Sequence, residues 1–356
     1  MSVASTESRV PNATSMVSSP MTLVADPLAG SGQHNWTEFS VLISDSFFDL
    51  LSLTNLFGIT GPLCLLGIFT NIANLVVYAK MGFSESSNMN FMALAVFDLL
   101  FTIISLTMRA LYNPSLKRSA AGPLLQYASH CVSIGMVVVA NGSAMMTALI
   151  AAERCVYVVF PLKAKTLLSR RRSLGLVLAV LAYHAAFMVL VYVDPGPPYD
   201  SHPERRSLYY MVFYVIPSSA CFLVVLLTTI FLVSRLMRSQ RWRRQASTKS
   251  GQSGAKEDRL VKTIVSISTL FVICYFPNVS IFLVQIAYPP LRYGTLYLNN
   301  LILILFDISM TSQVISSTGN FFFYYKLGSR FRKVFHATFA CGRSKYSDGP
   351  SVKSFN

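Results

Sequence analysis

The chain has 356 residues, 53% of them hydrophobic and only 13% charged, with a formal net charge of +15. A soluble domain of this length carries about a quarter charged residues, so an ordinary water-soluble fold is excluded. Nucleic acid is also a poor partner, because the Lys and Arg residues sit in short stretches between long apolar blocks rather than on one basic face.

Residues 1–47 are rich in Ser, Thr and Pro, hold no apolar core of signal-peptide length, and are expected to form a disordered extracellular tail. Two glycosylation sequons lie in it, at Asn12-Ala13-Thr14 and Asn35-Trp36-Thr37; such triplets are common by chance. Seven apolar blocks follow, at 56–79, 91–108, 124–152, 174–193, 208–234, 263–288 and 297–325. Each is long enough to cross a bilayer, which takes about 20 residues. Asp98 and Asp307 are the only charges inside them. The fold class is therefore an all-α membrane bundle of seven helices, because a helix pairs all its backbone groups internally in hydrocarbon. The first block is expected to act as signal anchor. Most of the Lys and Arg fall before block two, after blocks three and five, and in the tail, which places the C-terminus in the cytoplasm and the N-terminus outside, at the plasma membrane. The basic segments then meet anionic membrane lipid. One membrane domain, 48–339, is followed by a cytoplasmic tail, 340–356.

Taken in chain order, the polar residues of these blocks carry the chemistry. Asp98, in mid-helix, costs several kcal/mol unless paired, so it must face the bundle interior. Arg109, near the end of the second block, has two readings: a side chain snorkelling to the interface, or a guanidinium fork for a ligand carboxylate. Pro217 and Pro277 break helical hydrogen bonds and give bends. The segment 235–262 is basic, then Ser- and Gly-rich, and both flanking helices should run on into it. In 328–339, Phe331, Val334, Phe335 and Phe339 share one face beside basic residues, the pattern of a short amphipathic helix on the inner interface. Cys341 follows, as a palmitoylation site or a plain structural cysteine.

The third block closes with Glu153-Arg154-Cys155, and Pro161-Leu162 follows seven residues after the arginine. With this motif the chain resembles the rhodopsin-like (class A) G-protein-coupled receptors. Further matches fall in order: Asn71; Leu94-Ala95-Val96-Phe97-Asp98-Leu99; Ser143; Pro217; Phe271-Val272-Ile273-Cys274-Tyr275-Phe276-Pro277; and Ser316-Ser317-Thr318-Gly319-Asn320 with Tyr324, then Phe331-Arg332. The texture around Lys80 and Asn320 is similar to invertebrate chemosensory-type and FMRFamide-type peptide receptors. The resemblance implies a receptor that converts binding of an extracellular peptide or small molecule into activation of a heterotrimeric G protein. It implies switch roles for Glu153, Arg154, Pro161, Leu162, Glu257, Phe271, Tyr275, Pro277, Asn320 and Tyr324, with Arg154 and Glu257 pairing at rest. The alternative for Glu257 is one solvated acid in a charged stretch. An allosteric sodium ion is implied at Asp98, Ser143, Ser317 and Asn320; a satisfied polar cluster without an ion is the other reading, and no other cofactor is implied. Residues for a pocket are Arg109, Gln126, Tyr127, Met136, Tyr275, Asn278, Gln285 and Asp307, with Arg109 and Asp307 expected side by side.

Departures matter as well. The fourth block has no Trp, Ser129 stands where the family's disulfide cysteine belongs, Tyr275 replaces a Trp, Phe321 replaces a Pro, and Val225 replaces a Tyr. Met136 lies where amine receptors carry an Asp, and no Lys lies in the seventh block, so an amine receptor and an opsin are both disfavoured. A multi-span transporter or channel, the alternative function, would show repeats and several midplane charges. An enzyme would need paired carboxylates or a Ser/His or metal cluster, and the sequence offers neither.

Overall fold

The computed structural model describes residues 42–83, 85–111, 122–160, 163, 169–193, 208–246, 252–288, 291 and 296–339. Asn12, Asn35, Pro161, Leu162 and Cys341 lie outside these, as do the side chains of Gln126, Tyr127 and Glu257. Among the described residues seven helices are long and apolar enough to cross a membrane. In chain order they are α1 (Asp45–Met81), α2 (Ser86–Leu111), α3 (Gly122–Val159), α4 (Arg170–Val193), α5 (Ile216–Ala246, entered through a π-helical turn at Met211–Val215), α6 (Gln252–Ala287) and α7 (Asn299–Leu327). The short α8 (Ser329–Phe339) follows.

Helix α1 begins well before the apolar block that opens at 56. Ser44 caps it, its Oγ accepting from Phe47 N at 3.4 Å, and Asp45 in the first turn suits the positive end of the helix dipole. A π-helical turn at Asn55–Thr60 then re-aims the helix face. The C-terminus of α1 is closed by Gly82 at φ 77°, a left-handed conformation that costs glycine nothing. As expected for the helices flanking 235–262, α5 and α6 both extend past their apolar blocks, to Ala246 and from Gln252.

Packed as a closed ring, α1 touches α2 and α7, α3 touches α2 and α5, α5 touches α6, and α6 touches α7, while α4 leans on α3 and α2 from outside. Outward faces are apolar: Leu65 and Phe69 on α1, Leu178 on α4, Leu227 on α5 and Ile273 on α6 are all exposed. That inside-out pattern suits hydrocarbon, not water. Gly142 lets α3 approach α2, since a Cβ there would meet the Phe97 ring at 2.2 Å. This brings Ser143 within reach of Asp98. At the end of the bundle that carries α8, Tyr78, Phe91, Tyr324 and Phe331 form an aromatic cluster with ring centroids 5.2–5.7 Å apart.

Candidate functional site

Asp98 is 1% exposed and lies where α2, α3 and α7 meet. Ser143 Oγ donates to its Oδ1 at 2.6 Å and Asn320 Nδ2 to its Oδ2 at 2.8 Å. Ser317 Oγ donates to its main-chain oxygen at 3.2 Å, and Asn71 Nδ2 reaches the Ser317 carbonyl at 3.4 Å, so α1 joins too. A buried carboxylate only accepts hydrogen bonds, which is why Asn320 turns its amide nitrogen, not its oxygen, toward Asp98. A hard monovalent cation would still find the Asp98 carboxylate with the hydroxyls of Ser143 and Ser317, an all-oxygen set of the right type. Beside them lies a cavity of about 20 Å³ lined by Phe101, Ser143, Phe271, Tyr275, Gln313 and Ser317, enough for about one water.

One layer further from α8, a chain of polar side chains crosses the bundle. Pro217 has no N–H, so the preceding π turn, Met211–Val215, lacks one helical donor. Tyr183 of α4 donates to the carbonyls of Val212 and Phe213 at 3.3 Å, and Asn141 Nδ2 of α3 donates to Phe213 O at 2.9 Å. Asn141 Oδ1 in turn accepts from Ser218 Oγ at 3.3 Å, and Ser218 Oγ accepts from the Tyr275 hydroxyl at 3.2 Å. Tyr275 stacks on Phe271, centroids 4.7 Å apart. The residue that stands for the family's tryptophan thus uses its hydroxyl to tie α6 to α5 and α3. Asn278, fully buried, accepts from Tyr214 at 3.4 Å and from Ser309 at 3.3 Å, linking α6 to α5 and α7.

At the end opposite α8, Arg109 of α2 forms an ion pair with Asp307 of α7. Arg109 also donates to the Asp307 carbonyl at 3.3 Å and to Thr311 Oγ1 at 3.2 Å. Asn55, one of the π-turn residues of α1, donates to the same carboxylate, while Thr60 Oγ1 donates to Asn55 Oδ1 at 2.7 Å. Met136 and Gln285, also expected at the pocket, have these neighbours. Met136 is 8% exposed within the main apolar core. Gln285 Nε2 donates to the Leu291 carbonyl at 3.3 Å, satisfying the chain just past the end of α6. Tyr275 and Asn278 do face the interior between α5, α6 and α7.

At the α8 end, neighbours Glu153 and Arg154 turn to different helices. Glu153 accepts from Ser173 Oγ of α4 at 3.0 Å. Arg154, 7% exposed, donates to Ser87 of α2 and lies over the Tyr157 ring, 5.1 Å from its centroid. Tyr324 is buried in the aromatic cluster.

Sequence reasoning missed Asn55, Asn141, Ser218, Tyr214, Ser309 and Thr311. Each is a polar residue inside an apolar helix or at its edge, and that signal alone would have marked them for partners. A match to the family described as 7 transmembrane receptor (rhodopsin family) spans residues 71–324. No curated protein matches the chain in sequence.

Proposed function

Because the chain belongs to the rhodopsin family of seven-transmembrane receptors, which signal through heterotrimeric G proteins, we propose that it is a plasma-membrane receptor with its N-terminus outside and its C-terminus in the cytoplasm. Its ligand is an extracellular peptide or small chemosensory molecule that enters at the end opposite α8 and presses on the layer of Tyr275 and Asn278. The observation that carries this reading is a set of separate polar layers stacked along an apolar bundle: Asn278 and Tyr275, then the Asp98 cluster, then Arg154, each bonding side chains of different helices. Such groups have two ways to pair, so a ligand at one end biases the other only by its differential contact with the two arrangements. A sodium ion would lie on Asp98, Ser143 and Ser317, where its charge offsets the buried carboxylate and favours the resting arrangement.

Nucleotide exchange on added G protein, in membranes from cells expressing the chain, tests the receptor reading: exchange should exceed that of mock membranes and rise with one member of a peptide and metabolite panel. No response across the G-protein subtypes would argue against it. Asp98→Asn should abolish the sodium sensitivity of basal exchange, because the amide removes the charge yet keeps a polar group for Ser143. A sodium response equal to wild type would remove the ion from this site. Tyr275→Phe should raise basal exchange about threefold, since a hydrogen bond between membrane helices contributes roughly 0.6 kcal/mol. The Phe271 stack survives that substitution, so an unchanged basal rate would show the hydroxyl tie to Ser218 has no part in holding α6.

A further inference from the structure

A crevice of about 240 Å³ runs between α6 and α7 in their halves away from α8. It is walled by Pro277, Ser280 and Ile281 of α6 and Leu305 and Ile308 of α7, with Leu291 beyond the end of α6. Its origin is legible in the side chains. Pro277 and Ser280, three residues apart on one helix face, are short, while Ile273, Phe276 and Leu283 beside them project outward at 66%, 61% and 59% exposure. The crevice opens between Val284 and Ile308, themselves 46% and 52% exposed. It is therefore continuous with the outward apolar face that meets the bilayer.

Three arguments identify what fills it. Water is excluded, because a water molecule needs two to four polar partners and these walls supply almost none. The space exceeds the roughly 150 Å³ of an apolar cavity that takes up benzene, so empty space here is costly next to mobile hydrocarbon. It is also smaller than the roughly 300–1,000 Å³ of a whole-ligand pocket, which suits a single chain rather than a compact molecule. We propose that the crevice seats one acyl chain of a membrane phospholipid. The seated chain packs on Pro277, where α6 lacks the hydrogen bond to the Ile273 carbonyl, so it wedges the α6–α7 seam at the bend.

Photolabelling separates this seat from ordinary contact with surrounding lipid. The full chain is reconstituted in vesicles of phosphatidylcholine carrying a diazirine in mid-acyl chain, irradiated, and its adducts mapped by mass spectrometry. Annular lipid reaches Ile273, Phe276 and Leu283, whereas Ile281 and Leu291, 7% and 9% exposed, line the crevice. Adducts are expected on Ile281 and Leu291 in the wild-type chain. They should fall several-fold in Ser280→Phe and, from the opposite wall, in Leu305→Phe, while adducts on Phe276 stay unchanged. Labelling confined to the projecting residues of the wild-type chain overturns the proposal whether or not either variant folds. So do adducts on Ile281 and Leu291 that persist in both filled variants.

Discussion

Arg154→Ala is expected to abolish nucleotide exchange on the G protein, a loss of about tenfold or more, while the protein still reaches the cell surface. The guanidinium is almost fully buried at the α8 end, where it donates to Ser87 and lies on the Tyr157 ring. A neutral hydroxyl and an aromatic face each hold a guanidinium less tightly than a bidentate carboxylate does, so these two contacts are readily exchanged for a partner offering main-chain carbonyls. Its neighbour Glu153 accepts a hydrogen bond from Ser173 of α4. Arg154→Lys separates charge from shape: a lysine keeps the cation but loses the planar fork, so coupling should stay well below wild type. Exchange at the wild-type level in Arg154→Ala, with equal surface expression, would take the arginine out of the coupling surface. A resting pair with Glu257 adds a second arm. Glu257→Ala should raise basal exchange roughly fivefold if the pair contributes about 1 kcal/mol, and leave it unchanged if Glu257 is a solvated acid.

How much of this was legible depends on how many helices a signal involves. The seven blocks, the bend residues and Asp98 could be read from single helices, because length, proline and a lone buried carboxylate each speak for themselves. Span edges were less legible: the apolar block of α1 opens at 56, but Ser44 and Asp45 start the helix earlier, so the block alone does not mark Asn55 as a partner of Asp307. The seam of Asn141, Ser218 and Tyr275 was invisible because it exists only once three helices are packed. Pro217 held the missing clue, since its absent N–H leaves the preceding turn one donor short, and Asn141 donates to Phe213 O there. Gln285 is the opposite case. A glutamine near a helix end serves the last turn before it serves a pocket, and its amide is spent on Leu291 O.

Asp307→Ala is expected to cut surface expression severely, more than any other single change at this end of the bundle. Asp307 receives donors from two helices, Arg109 of α2 and Asn55 of α1, and its own backbone carbonyl takes a further bond from Arg109. The Arg109 side chain is only 11% exposed, so removing its counter-charge strands a cation in a medium that cannot hydrate it. Breaking such a pair costs about 3–5 kcal/mol, a large share of the roughly 5–15 kcal/mol that holds a domain together. Removing both partners is different. Arg109→Leu with Asp307→Leu leaves no charge behind and should restore expression, as apolar replacements of buried pairs commonly do. The charge exchange, Arg109→Asp with Asp307→Arg, then decides what the pair is for. A staple between α2 and α7 tolerates the exchange, because Asn55 can rotate its amide to present oxygen to a cation. A site for a zwitterion, such as a free amino acid or a peptide terminus, matches each charge to one end of the ligand and loses its response on exchange. The mutual saturation of Arg109, Asp307, Asn55 and Thr311 favours the staple, so the exchanged protein should reach the surface and respond as wild type does to the active member of the peptide and metabolite panel. Surface expression without that response would return the pair to the ligand site.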